Sequence, residues 1–255
     1  MPELPEVEFC GRRLRAQAVG RRILAVVGHP LPVVGRQVVA VRRVGKQLVV
    51  DLDVGHLLLH LGMTGKVLHR RVGDEVRSAT RAQLTLDDGH RLDFVDPRRF
   101  GKLAAVDGVT LAAVLARLGP DVLEITGDPP ALAARFRGCR QAIKVALLDQ
   151  ARIAGAGNIY AAEALFLAGV HPLTPAGDLG AAAWVALAAG LEKTMRDSLA
   201  RETGEEIIYL QEGAPSPFFV YGREGEACMR CGTPIVRTAQ QGRSTFWCPS
   251  CQKAG

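Results

Sequence analysis

Four places in the chain combine residue types that do chemistry. The first is the opening stretch, MPELPEVE. Initiator Met is commonly removed when the next residue is small, which would leave Pro2 in front with a secondary amine. An α-amino group titrates near neutrality, far below a lysine, so a useful fraction is an uncharged nucleophile at physiological pH. Such an amine can attack a sugar C1′ and leave a positively charged iminium, and Glu3 beside it can carry protons to and from the reacting atoms. The alternative is a frayed terminus, the condition of most chain ends. On this stretch alone it is the commoner case.

The second place is the carboxyl end, ACMRCGTPIVRTAQQGRSTFWCPSCQ, where Cys228, Cys231, Cys248 and Cys251 form C-x2-C, sixteen intervening residues and C-x2-C. Two such pairs can set four thiolates tetrahedrally around one structural Zn(II), and a tail this short could scarcely order itself otherwise. Between the pairs, TPIVRT and RSTFWC alternate like strands around a turn containing Gln240, Gln241 and Gly242, which predicts a clamped β-hairpin presenting Arg243, with Arg237 and Arg230 nearby. Either the arginines are merely solvated, or the hairpin delivers Arg243 to a phosphate. The remaining cysteines, Cys10 and Cys139, have no neighbours of their kind and are expected to be small buried hydrophobes.

The third place is DQARIAGAGNIYAAEALF, with Gly155, Gly157 and Asn158 directly before an amphipathic pattern. Small residues let backbone N–H groups approach an anion, to which a helix N-terminus adds partial positive charge. The same letters also describe an ordinary tight turn with Asn158 as the N-cap. Lys144 lies upstream, and either joins a phosphate there or is a surface lysine. The fourth place is a pair of loops, HLGMTGK and DPRRFGK. Met63 stands there with His60 and Lys66, and Phe100 with Arg98, Arg99 and Lys102. Protruding Met, Phe and Arg can wedge into a base stack and fill the space left by an extruded nucleotide, although Met and Phe are more often core residues.

The elements that must position these groups divide the chain in two. A helix is expected from Glu6 to Val19, with Pro5 near its start. The segments ILAVVG, QVVAVRRV, QLVVDLDV, HLLLHLGM, AQLTLDDG, HRLDFVD and KLAAVDG then read as short strands up to about Val109, most plausibly two packed sheets. LARLGPDVLEITGDPP would serve as a linker. Beyond it ALAARFRG, QAIKVALLDQ, IYAAEALFLAG and LGAAAWVALAAGLEKTMRDSLARE carry helical spacing. The chain has 255 residues, 48% of them hydrophobic, and a net charge of +6, enough for a large core and favourable to polyanions without proving one. No apolar run is long enough for a membrane helix and no secretory signal is found, so a cytoplasmic location without a membrane partner is expected.

Taken in order, MPELPEVE, RRVGKQL, HLGMTGK, DPRRFGK, RLGPD, AIKVALLDQ, GAGNIYAAEALF, GVHP, VYGREGEAC and the four-cysteine tail resemble the bacterial formamidopyrimidine-DNA glycosylase family, within the superfamily shared with endonuclease VIII. The resemblance implies an α+β, two-domain fold. An N-terminal β-sandwich catalytic domain with flanking helices would occupy residues 1–115 and a hinge 116–122. A helix-two-turns-helix domain with a lesion-capping segment would occupy 123–222, and a β-hairpin zinc finger 223–255. It implies a bifunctional glycosylase and abasic-site lyase of base excision repair. Such an enzyme removes oxidised or ring-opened purines from duplex DNA as a monomer at the bacterial nucleoid. The alternatives are an endonuclease VIII-like preference for oxidised pyrimidines or another damaged base, and a non-catalytic binder of damaged DNA. By resemblance, Pro2 is the Schiff-base nucleophile, Glu3 the acid and base, and Lys46 a catalytic contact near the lesion. Met63, Arg98 and Phe100 fill the void after base flipping. Asn158 and Arg243 grip the flanking phosphates, and His60, Lys144 and Tyr221 match further phosphate contacts. One stretch departs from the family pattern: residues 203–219 read TGEEIIYLQEGAPSPFF, which puts the loop that reads the base in question.

Overall fold

Helix α1 (Leu4–Ala18) begins with a capping box. Glu3 at the N-cap accepts from the backbone N–H of Glu6, and the Glu6 carboxylate accepts from the Glu3 N–H at 2.7 Å. Pro5 sits in the first turn, where its missing N–H costs nothing. The helix therefore starts before the expected Glu6, because the reciprocal cap sets its first turn. The computed structural model describes residues 2–202, 204 and 216–253. It divides into two compact units, Met1–Ala116 with Arg201–Tyr209, and Arg117–Ala200 with Leu210–Gly255.

In the first unit eight strands follow α1: β1 (Ile23–Val27), β2 (Val38–Val44), β3 (Gln47–Leu52), β4 (His56–His60), β5 (Lys66–Arg71), β6 (Thr80–Leu86), β7 (His90–Val95) and β8 (Lys102–Val106). They form two antiparallel sheets, ordered β1-β6-β7-β5 and β2-β3-β4-β8. Strand β5, KVLHRR, is an addition to the seven expected: it is an edge strand whose charged letters hide its alternation. Leu48, Leu57 and Leu59 from one sheet, Leu84, Leu92 and Phe94 from the other, and Val7, Leu14 and Ala18 of α1 share one buried core. Alternating burial along β4 and β6 is the mark of strands with one face on that core. Two consecutive hairpin returns, β2 to β3 and β3 to β4, bring the Gly45–Lys46 turn beside the end of β4, where His60 pairs with Gln47. Helix α2 (Gly108–Leu115), capped by Asp107 through the Thr110 N–H, follows β8.

The second unit is helical. The stretch expected to be a linker contains α3 (Val122–Ile125), capped by Asp121, and leads into α4 (Pro129–Ala134), capped by Asp128. The one-turn α5 (Ile143–Ala146) precedes α6 (Asn158–Ala168) and the long α7 (Ala181–Arg201). Helix α6 is buried almost all round and stops at Gly169, whose φ of 68° gives the left-handed cap that glycine takes without strain. Gly190 lets α7 cross α6 closely, since a Cβ there would lie 2.8 Å from the Ala164 carbonyl oxygen. No helix among the described residues is long and apolar enough to cross a membrane. The unit closes with a hairpin of β9 (Val236–Gln240) and β10 (Arg243–Trp247).

Candidate nucleic-acid interface

The groups singled out by sequence fall into two sets, one in each unit. In the first unit Pro2 and Glu3 are both buried, Glu3 completely, so this end is not frayed. Lys46 sits half-buried in its hairpin turn, and its charge reaches His60. Burial, followed by the charges of Lys46 and Lys102, holds the His60 imidazole below its usual range. His60 Nδ1 accepts the Gly62 N–H at 3.0 Å, which fixes the neutral ring in the tautomer protonated on Nε2.

Met63 and the Arg98–Phe100 group lie on two loops, β4–β5 and β7–β8, that are built as one piece. Asp96, nearly inaccessible to solvent, accepts from Thr64 Oγ1 at 2.8 Å and from the Gly101 N–H at 2.7 Å. The Arg98 N–H reaches Thr64 Oγ1 at 3.4 Å. Backbones touch directly at Gly62, where a Cβ would fall 2.4 Å from the Gly101 nitrogen, and its φ of 63° independently favours glycine. Above this clamp Arg99 takes a left-handed backbone with φ of 60°, and the Arg98 guanidinium lies 5.3 Å from the centroid of the Phe100 ring. Phe100 is 54% exposed and Met63 half-buried, so core packing does not account for Phe100. Asp96 and Thr64 stood inside the quoted loops and their clamping role went unread.

In the second unit Asn158 is the first residue of α6, and Gly157 rather than Asn158 is the N-cap. The side chain is thereby freed from capping. Asn158 Nδ2 donates to the Ser244 carbonyl at 3.0 Å, and Lys144 Nζ donates to Asn158 Oδ1 and, at 3.5 Å, to the same Ser244 carbonyl. Lys144 is completely buried, which corrects the surface-lysine alternative. It ties α5 and the start of α6 to the hairpin at the residue next to Arg243. Gln150 braces the preceding loop, accepting the Gly155 N–H and donating to the Ala156 carbonyl, each at 2.9 Å.

The hairpin turn is Gln241–Gly242, both residues with positive φ, 46° and 72°, as a two-residue turn between twisted strands requires. Arg243 emerges from it exposed. Its companions are engaged: Arg237 Nε donates to Ser244 Oγ, and Arg230 lies over the Phe166 ring. Below, the four cysteine sulfurs lie within 4.8 Å of one another, with Cys228–Cys251 at 3.9 Å and Cys231–Cys248 at 3.5 Å. Tetrahedral Zn(II) with Zn–S bonds of about 2.3 Å sets sulfurs about 3.8 Å apart, so the site fits this ion. Hydrogen bonds from Thr233 draw the Cys231 thiol down to about 6, whereas desolvation and the neighbouring sulfurs push Cys251 up to about 12. Four thiols cannot all ionise side by side without a cation to compensate them.

The zinc module sits on α6. Phe166, Val220, Ile235, Cys228 and Cys248 share an apolar cluster, and buried Gln252 accepts from the Cys248 N–H while donating to the Val170 carbonyl. Glu163, another group sequence reading missed, is buried and accepts the backbone N–H groups of Phe219, Val220 and Tyr221 at 2.7 to 2.9 Å. Tyr221 is half-buried, its ring edge-on to Phe246. Cys10 and Cys139 are buried free thiols, and desolvation pushes the Cys10 thiol up to about 12. Most of the departing stretch 203–219 lies outside the described residues.

Comparison with known proteins covers nearly the whole chain. Residues 1–103 match the family model for the formamidopyrimidine-DNA glycosylase N-terminal domain, 118–209 that for its H2TH domain, and 225–254 that for the zinc finger found in FPG and IleRS. The formamidopyrimidine-DNA glycosylase of Gluconobacter oxydans is 41% identical, with 99% of this chain and 100% of that protein covered. That of Acidothermus cellulolyticus is 40% identical over 99% of this chain and 97% of its own length. The crystal structure of the MutM (Fpg) protein from Thermus thermophilus superposes with a TM-score of 0.85 at 36% identity, covering both chains fully. Lactococcus lactis Fpg in complex with DNA containing an abasic site gives a TM-score of 0.88 at 26% identity over 99% of this chain and 100% of that one.

Proposed function

The chain belongs to the formamidopyrimidine-DNA glycosylase family, and from that premise we propose that it is a bifunctional DNA glycosylase and abasic-site lyase removing oxidised or ring-opened purines from duplex DNA. Lactococcus lactis Fpg, solved with abasic-site DNA and, as a mutant, with Fapy-dG DNA, supports that substrate class. The observation that carries the chemistry is the buried capping box, which holds Glu3 rigidly behind Pro2.

The Pro2 nitrogen attacks C1′ of the damaged nucleotide, the C1′–base bond breaks, and its electron pair leaves with the base, which takes up a proton. The attacking nitrogen gives up its proton, the C1′–O4′ bond then opens with O4′ taking up a proton, and the resulting iminium acidifies the C2′ proton. Its removal expels the 3′ phosphate and a second elimination expels the 5′ phosphate, giving the gap of a β,δ-elimination. Glu3 moves the protons at the sugar. Lys46 acts near the same centre, its charge set beside His60. Met63, Arg98 and Phe100, presented by the clamped loops, occupy the space of the extruded nucleotide, with Arg98 facing the orphaned base. Asn158 and Arg243 hold the flanking phosphates, Lys144 adds charge beneath them, and His60 and Tyr221 complete the backbone contacts. The Zn(II) of the four cysteines is structural and holds the hairpin that carries Arg243. The enzyme works as a monomer, in the bacterial cytoplasm at the nucleoid.

Borohydride reduction in the presence of abasic-site DNA tests the mechanism. A covalent adduct whose protein peptide begins at Pro2 is expected. An adduct mapped to any lysine, or none at all with intact mass showing Pro2 first, removes it. Excision from a panel of oxidised purines and pyrimidines tests the substrate class.

A further inference from the structure

A second cluster of metal-ligating groups lies in the β-sandwich unit, away from the residues given roles above. His69 on β5 and His90 on β7 share one face of the sheet as diagonal neighbours, because Leu92 pairs with His69 and Arg71 with His90. Their rings stack at 4.4 Å between centroids. Asp88, in the β6–β7 turn, folds back onto the same spot. Its Oδ1 accepts the His90 backbone N–H at 3.0 Å and lies 3.4 Å from His90 Nδ1, while its Oδ2 faces Arg21 Nε at 3.3 Å. Two ring nitrogens here are closed to solvent: among the described residues His69 Nε2 has no hydrogen-bond partner, and His90 Nδ1 faces only the Asp88 carboxylate, at a distance too long for a good bond. Buried polar atoms are ordinarily satisfied, so this pair marks bonding capacity that the protein alone leaves unused.

We propose that His69, Asp88 and His90 form a second metal site, for a divalent ion of imidazole preference such as Zn(II) or Ni(II). One ligand atom from each residue already lies within 4.8 Å of the others. Two imidazoles and a carboxylate are a donor set such ions accept, with the remaining coordination positions left to water. Arg21 on Oδ2 leaves Oδ1 as the ligating oxygen and orients the carboxylate, the outer support that metal-bound carboxylates commonly have. Around the ion the donors sit about 3.3 Å apart, so binding draws the side chains together and turns the rings out of their stack. Strand β5 is an edge strand of its sheet and can follow this movement. The ion ties that edge to the β6–β7 turn, independently of the cysteine site.

Native mass spectrometry of the full chain, carrying its tail zinc, in buffer holding free Zn(II) at a micromolar level tests this directly. Two zinc ions per wild-type chain are expected, and one in His69→Asn and in Asp88→Asn, with excision activity unchanged in both variants. One zinc in the wild type, or two in both variants, overturns the proposal. Ni(II) broadening of the His69 and His90 ring resonances in the wild-type protein gives the answer without any substitution. Absence of broadening at micromolar Ni(II) overturns it equally.

Discussion

The paired loops of the β-sandwich unit and the cysteine hairpin of the helical unit both hold side chains out toward solvent, by opposite means. The loops are held by the chain itself: Asp96 collects donors from both, and Gly62 lets backbone rest on backbone. The hairpin has five residues in each strand, too few to order alone, and rests on four thiols that need a cation. The first device is always present once the sheet has folded. The second is conditional on metal.

Removing one zinc ligand breaks the comparison most severely. Cys248→Ala should lose zinc and weaken DNA binding by about 100-fold or more, while the sandwich unit keeps its structure. Metal analysis, fluorescence anisotropy with abasic-site DNA and amide exchange across residues 4–106 check the three parts. Next comes the loop clamp. Asp96→Ala leaves the Thr64 hydroxyl and the Gly101 N–H without their acceptor, at about 3 kcal/mol of stability, and should depress excision more than binding, without zinc loss. Denaturant unfolding and single-turnover kinetics separate these effects.

A smaller change follows from Arg243→Ala. Affinity should fall about 10-fold for every lesion alike, and the slope of log affinity against log salt should drop by about one, as for a single phosphate contact. A switch of lesion preference would contradict that role. The smallest effect is a pH dependence confined to the first unit. His60 is held below its ordinary 6.5 by burial and by Lys46 and Lys102, so the stability it contributes is complete above 6.5 and is lost as pH falls through the lowered value. Protonation then takes away the acceptor of the Gly62 N–H. The Gly62 amide resonance should shift on acidification in the wild type and stay put in His60→Asn.

Much of this was readable from residue types. Four cysteines at C-x2-C spacing and a Gln-Gln-Gly turn specify a metal-clamped hairpin whatever surrounds them, and short Val- and Leu-rich segments specify strands. Interactions between distant segments were not readable. Lys144 looks like a surface residue because its partner, the Ser244 carbonyl, is remote in sequence, and the one-turn α5 gives too little periodicity to show which face is inward. Glu3 reads as a candidate proton carrier but not as a cap, since Glu is a poor N-cap and only the reciprocal bond with Glu6 makes it one. Strand β5 escaped notice because an edge strand can be charged on both faces. Asp96 escaped because its two arginine neighbours drew attention to charge, whereas its work is to accept hydrogen bonds from the loop across from it.

The contact of Gly62 with the Phe100–Gly101 backbone has a consequence for how this surface can change. No side chain lies at that point of contact, so the spacing of the two loops does not depend on what Met63 or Phe100 happen to be. The tips are interchangeable parts on a fixed mount. Substitutions there can alter which side chains the loops present while the mount, and the stability it represents, stays as it was.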